Sequence, residues 1–248
     1  DARKTTDGLY VFSCGIAAKQ MADKVNARIV SNGVKGEVHT YSVTDYAESV
    51  INAASGVYSD KAVNAVKAML NYGTAAQQYF GYNTDNPANS IMTDDDKNMD
   101  MVGFNTYTGK LVNADSVSGI SYYGSSLVLE SDTILRNYFE LSDGYSIDNY
   151  TFYVKDKDGN KNIIAPQKTD ASLYYIDISN VKAYELADNV NIYVQKNGDS
   201  EDKIMMLEYG AYVYARYVDK YLDNTALKNL MTAMYHYCNA ATEYANIY

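Results

Sequence analysis

The chain has 248 residues and a net charge of −10, with 47% hydrophobic and 21% charged residues. That length holds one large or two ordinary domains with ample core, and the composition is that of a globular protein. The acidic balance argues against nucleic acid, which needs a Lys/Arg surface to displace counterions, and against an anionic membrane surface. No run reaches the roughly 18–20 apolar residues of a membrane span, so direct membrane insertion is not expected.

In chain order, residues 8–14 read as a strand and 17–24 as a short helical or turn segment. Residues 25–31 and 37–42 are two strands around Asn32-Gly33, a pair that tolerates positive φ and marks a hairpin. Ser42 or Thr44 then caps a helix over about 45–54, and Asp60 caps a long helix over 61–80. The long helix carries Ala62, Ala65, Val66, Met69, Tyr72, Gly73 and Ala76 at steps of three and four, one apolar face. The short connection between the helices predicts an antiparallel hairpin. Residues 83–101 hold Pro87, several Asn, and Asp94, Asp95, Asp96 and Asp100. They read as a linker with solvated acids, calcium being the alternative for clustered carboxylates.

Beyond residue 103 the texture is β. Runs at 117–123, 126–131, 133–141, 150–155, 161–165, 173–178 and 191–196 are rich in Val, Ile, Tyr and Phe, with Gly, Asn and Asp between them. Ile134, Arg136, Tyr138 and Glu140 alternate with Leu135, Asn137, Phe139 and Leu141, so an antiparallel sheet with one wet face is expected.

The chain also repeats itself. At an offset of 165, Asn64, Ala68, Met69, Tyr72, Ala75, Ala76 and Tyr79 meet Asn229, Ala233, Met234, Tyr237, Ala240, Ala241 and Tyr244. Tyr10, Ala18, Ala22, Val25 and Gly33 likewise meet Tyr175, Ala183, Ala187, Val190 and Gly198. Such a period indicates duplication of whole domains. The expected fold is therefore α+β: an antiparallel β-sandwich flanked by two helical hairpins, internally duplicated. Residues 1–82 are the C-terminal part of a first module and 83–102 a linker. Residues 103–248 are a second module, with the sandwich at 103–202 and its hairpin at 204–246. The first copy has no counterpart of about 103–170, so it reads as truncated or as borrowing a sheet from a neighbour. No leader pattern precedes Asp1, and the sequence reads as an excised piece of something longer.

Catalytic chemistry finds little footing. His39 and His236 have no HExxH, Cys pair or carboxylate pattern near them, and no GxSxG, P-loop or GxGxxG occurs. Asp156, Asp158, Asn160 and Asn162 alternate as calcium ligands do, but an EF-type loop wants Gly and Glu where Lys161 and Gln167 stand. A hairpin turn is the reading preferred. No catalytic residue, metal or cofactor is expected, and the chain does not read as an enzyme. Cys238 is expected as a buried thiol at the repeat position of Gly73, with a Cys14–Cys238 disulfide as the alternative.

The tyrosines, 27 of them against no Trp, are the chemistry that remains. Leu207, Ala211, Tyr214, Val218 and Tyr221 form one helical stripe, and Leu227, Leu230, Met231, Met234, Cys238 and Ala241 another; both read as core. Tyr212, Arg216, Tyr235 and His236 then face outward. They form either a protein-binding patch, since Tyr and Arg are enriched at interface hot spots, or a face that is packed on a neighbouring module or simply solvated.

The stretches NYGTAAQQYFGYNTDNPAN (71–89) and SLVLESDTILRNYF (126–139) resemble repeat modules of large cell-surface proteins of gut Firmicutes. The second copy departs from them, ending EYANIY where the first reads QYFGYN. The resemblance implies an extracellular, cell-wall-associated polypeptide with several such units. Some proteins of that group act as immunoglobulin-binding superantigens, and others accompany carbohydrate-active domains. The expected role is thus a non-catalytic binding or adhesion module for a host or neighbouring protein, with immunoglobulin the sharpest named candidate. A carbohydrate-binding module and a structural spacer are the alternatives.

Overall fold

The computed structural model describes residues 2–100, 115–129, 133–179, 181–186, 190–199, 203–208 and 223–246. Over these the chain is mixed α and β, with four helices and antiparallel sheets.

Strands β1 (Ala2–Lys4) and β2 (Tyr10–Phe12) pair with each other. Strand β3 (Val25–Ala27) pairs with β6 (His39–Tyr41), and β4 (Val30–Ser31) with β5 (Val34–Lys35) around Asn32 and Gly33, both at positive φ. Helix α1 (Val43–Ile51) is capped by the Ser42 hydroxyl, which accepts from the Asp45 N–H at 3.0 Å. The long helix α2 (Asp60–Phe80) starts one residue earlier than expected: Ser59, not Asp60, is its cap, and Gly81 closes it at φ 61°. The Ser59 hydroxyl reaches the Ala62 N–H, which leaves Asp60 in the first turn, where its charge suits the helix dipole.

Periodicity predicts one buried stripe on α2. Instead every residue from Leu70 to Gln77 is buried. The segment after the helix folds back over what would be its wet side, and the polar residues there hold it. Gln77 accepts from the Ala88 N–H at 2.8 Å and donates to the Asn86 carbonyl at 3.1 Å. Thr74 accepts from the Asn89 N–H at 2.9 Å, Asn71 accepts from the Asn89 amide at 2.8 Å, and Asn71 donates to the Asp96 carbonyl at 2.9 Å. Buried polar groups are tolerated when satisfied in this way. Gly73 lies where the packing is closest, since a Cβ there would stand 2.7 Å from Met21 Sδ and 3.1 Å from Ala88. Helix α3 (Asp94–Lys97) is a single turn at the end of this clasp, tied back by a 2.8 Å ion pair between Lys67 and Asp96.

The later strands form two four-stranded sheets. One has the order β11–β12–β8–β7 and the other β10–β9–β13–β14. Their ranges are β7 (Ile120–Leu129), β8 (Thr133–Leu141), β9 (Tyr150–Lys155), β10 (Lys161–Ile164), β11 (Gln167–Lys168), β12 (Tyr174–Ile178), β13 (Val190–Lys196) and β14 (Lys203–Glu208). The two runs expected at 117–123 and 126–131 are one strand, β7. A bulge between Tyr122 and Gly124 lets it continue, and Tyr123 is left 65% exposed. On β8 the alternation is as expected: Leu135, Asn137 and Phe139 are fully buried, and Arg136 and Tyr138 are half-buried on the other face. Phe139 of one sheet meets Phe152 of the other, ring centroids 5.0 Å apart, so the two sheets share an apolar layer.

Residues 203–208 pair with β13 as a strand, which corrects the expectation of a helical hairpin from 204 with Leu207 on its stripe. The run Ile-Met-Met-Leu follows a Gly198 turn and fits a buried strand as well as a helix; periodicity alone does not separate them. Ala211, Tyr214, Val218 and Tyr221 lie outside the described residues. Helix α4 (Thr225–Ala245), capped by Asn224, buries Leu227, Leu230, Met231, Met234, Cys238 and Ala241 as its periodicity predicts, and packs on α2.

Two stretches share local geometry closely. Thr5 N–H donates to the Leu9 carbonyl and Thr169 N–H to the Leu173 carbonyl, both at 2.8 Å, and each threonine hydroxyl bridges the same turn. Gly8 and Ser172 both take positive φ in these turns. The offset between these two turns is 164, one less than the offset at which the sequence sets Tyr10 on Tyr175. One more residue between strand and following turn in the later stretch restores 165, where 3-10 turns Ala18–Gln20 and Ala183–Glu185 correspond. Both following hairpins carry an extra residue on the returning strand: Ala27 faces His39 but Val30 faces Lys35, and Ile192 faces Met206 but Tyr193 faces Ile204.

Candidate functional site

Of the four residues singled out for binding, Tyr212 and Arg216 lie outside the described residues. Tyr235 and His236 are half-buried on α4, with rings 5.7 Å apart edge to face. His236 Nε2 lies 2.8 Å from the Asp100 carbonyl. At an offset of 165 this is the position of Asn71, which holds the Asp96 carbonyl. The 94–100 stretch is thus held from both helices, by Asn71 on α2 and His236 on α4.

Cys14 is exposed, Cys238 is buried, and the two are not joined. Residues 156–160 form the turn between β9 and β10, with Gly159 at φ 84°. Asp156 accepts from the backbone of Asp158 and Asn160 at 2.9 and 2.8 Å, and the Asn160 hydrogen bonds hold its carboxyl below the usual range. Among the described residues no group of three His, Cys, Asp or Glu is placed to hold a metal ion, and no helix is long and apolar enough to cross a membrane.

A cavity of about 180 Å³ lies where α2 and α4 meet. Its walls include Ile16 and Val181, Ala18 and Ala183, Met21 and Leu186, and Tyr72 and Tyr237, each pair 165 apart. Tyr72 and Tyr237 stack at 5.8 Å with ring planes 24° apart. Small-molecule sites occupy roughly 300–1,000 Å³, so this space reads as a seam rather than a ligand site. Burial pushes the Tyr72 phenol up to about 12, a hydrogen bond with Thr133 opposing it, and burial also raises Tyr237. The folded chain thus holds these protons more tightly than the unfolded one. The Tyr72 contribution is complete below pH 10 and is lost as pH rises from there through about 12, and that of Tyr237 is lost in the same direction. An alkaline titration followed by phenolate absorbance and circular dichroism should show a group of tyrosines ionising only with unfolding. A Tyr72→Phe, Tyr237→Phe double variant should flatten that dependence; an unchanged curve would contradict the assignment.

The surface that sequence reading passes over is the outer face of β8 and β12. The Arg136 guanidinium donates twice to Asp177, at 2.7 Å each, and lies 4.2 Å over the Tyr175 ring. Tyr138 packs beside Tyr175 at 6.0 Å, and the Tyr175 hydroxyl donates to Gln167 at 2.6 Å. Cross-strand pairing of Arg136 with Asp177 and Tyr138 with Tyr175 fixes the group. The signal lies in the wet-face alternation of 133–141, but Asp177 is 41 residues from Arg136, and sequence spacing does not reveal such a pairing. No family model, no curated protein and no solved structure matches the chain.

Proposed function

We propose that the chain is a non-catalytic binding segment of a bacterial cell-surface protein, descended from a doubled block in which a β-sandwich precedes a helical hairpin. The matched turns, the two bulged hairpins and a seam walled by residues 165 apart support the doubling. The shared Phe139–Phe152 layer supports the sandwich. The observation carrying the binding role is the Arg136–Tyr138–Tyr175 group. Arg and Tyr held in fixed rotamers lose little entropy on association and are the residue types enriched at hot spots. The partner is a host or neighbouring protein, immunoglobulin being the candidate that the family resemblance supplies. The patch around Tyr235 is the second contact surface.

The test is capture from serum and mucosal secretions on the immobilised chain. A protein partner should be retained, and Arg136→Glu with Tyr175→Ala should weaken it at least about tenfold, as hot-spot truncations do. Retention unchanged in that variant, and lost with Tyr235→Ala, would move the site to α4. The exposed ring of Tyr123 beside the same sheet favours glycan binding as the second reading, and a glycan array that responds while serum stays silent would select it.

A further inference from the structure

The two blocks differ in one respect that points to a missing occupant. Ile176 on β12 and Val194 on β13 are fully buried. Their counterparts Phe12 and Ile29 are 67% and 69% exposed. The difference lies in the neighbours. Strand β8 pairs along β12, placing Phe139 opposite Tyr174, and β9 pairs along β13, placing Phe152 opposite Val194. Among the described residues β2 pairs only with β1, and β3 to β6 pair only among themselves. The first block therefore presents two unfilled strand edges, each beside an apolar face, where Tyr10 and Val34 are also mostly exposed. Native proteins seldom leave such edges and faces uncovered.

We propose that this face is a docking site for two consecutive antiparallel strands of the β8–β9 type, supplied by another module of the same kind. One strand adds to β2 and sets a large apolar residue opposite Tyr10. The next adds beside Ile29 and sets a second one there, so that the two incoming residues close the layer as Phe139 and Phe152 do. Main-chain ladders supply affinity and the two apolar positions supply specificity, as in other strand-addition complexes. The inference rests on the doubled-block reading above.

The experiment appends a second copy of residues 115–164 directly before Asp1 of the full chain, where the 164 offset places the join. Amide hydrogen exchange should slow about tenfold or more at residues 10–12 and 25–31, because these amides would then open only with the sheet. The same fusion with Phe139→Ser and Phe152→Ser in the appended copy should lose that protection. Unchanged exchange at those amides overturns the proposal, whether or not the appended segment folds. So does protection that is already present in the unfused chain and rises with its concentration, which would make a second copy the occupant. Either result leaves the doubled block standing if residues 5–12 and 169–176 still share one turn geometry.

Discussion

Phe139→Ala should destabilise the chain by about 3–5 kcal/mol, the usual cost of truncating a fully buried aromatic side chain. Phe139 is 0% exposed and sits on the central strand of its sheet, between β7 and β12. Its ring lies 5.0 Å from Phe152 in the other sheet and 6.1 Å from Tyr122 in its own, so a void there opens where both sheets meet. The neighbouring Tyr138 points to the other face and is half-buried, so Tyr138→Ala should cost clearly less. Denaturant melts of the two variants check the contrast. A Phe139→Ala loss below about 1 kcal/mol, a value typical of surface sites, would mean that the sheets do not share a core.

Gln77→Ala should cost about 2–4 kcal/mol by a different route, the loss of buried hydrogen bonds. Gln77 is 1% exposed and bonds the backbone of the returning segment in both directions, accepting from the Ala88 N–H and donating to the carbonyls of Asn83 and Asn86. Truncation leaves the buried Ala88 N–H without that partner, at roughly 1–3 kcal/mol, and also removes the part-buried bonds to the Asn83 and Asn86 carbonyls. The effect should be local as well as global: proteolysis should begin at 83–98 before the helices open. Gln77→Glu is the informative second variant. It keeps the acceptor for Ala88 but sets a carboxylate against two carbonyls, and it should rescue nothing at neutral pH. A variant as stable and protease-resistant as the parent would show that the clasp is decorative.

The two variants also mark what the residues disclose. Strong periodicity makes α2, α4 and the alternation of β8 legible, because a helix face or a sheet face is a local pattern. Residues whose partner is a distant backbone are misread by the same rule. Asn71, Thr74 and Gln77 scan as the wet side of a helix, yet the returning stretch supplies the carbonyls and N–H groups they bond. His236 scans as exposed for the same reason. The run 203–208 shows the opposite limit, since four apolar residues satisfy a strand and a helix equally. The Arg136–Tyr175 surface is half legible: the alternation names one strand, and only the sheet order names the other.

Amide hydrogen exchange on the unmodified chain is the most direct test of two like blocks of which one is uncovered. The account predicts that Tyr72 and Tyr237 exchange together at the level of global opening, as do Ile176 and Val194, while Phe12 and Ile29 exchange close to the rate of an unstructured chain. Equal protection of Phe12 and Ile176, or separate opening of Tyr72 and Tyr237, would contradict it.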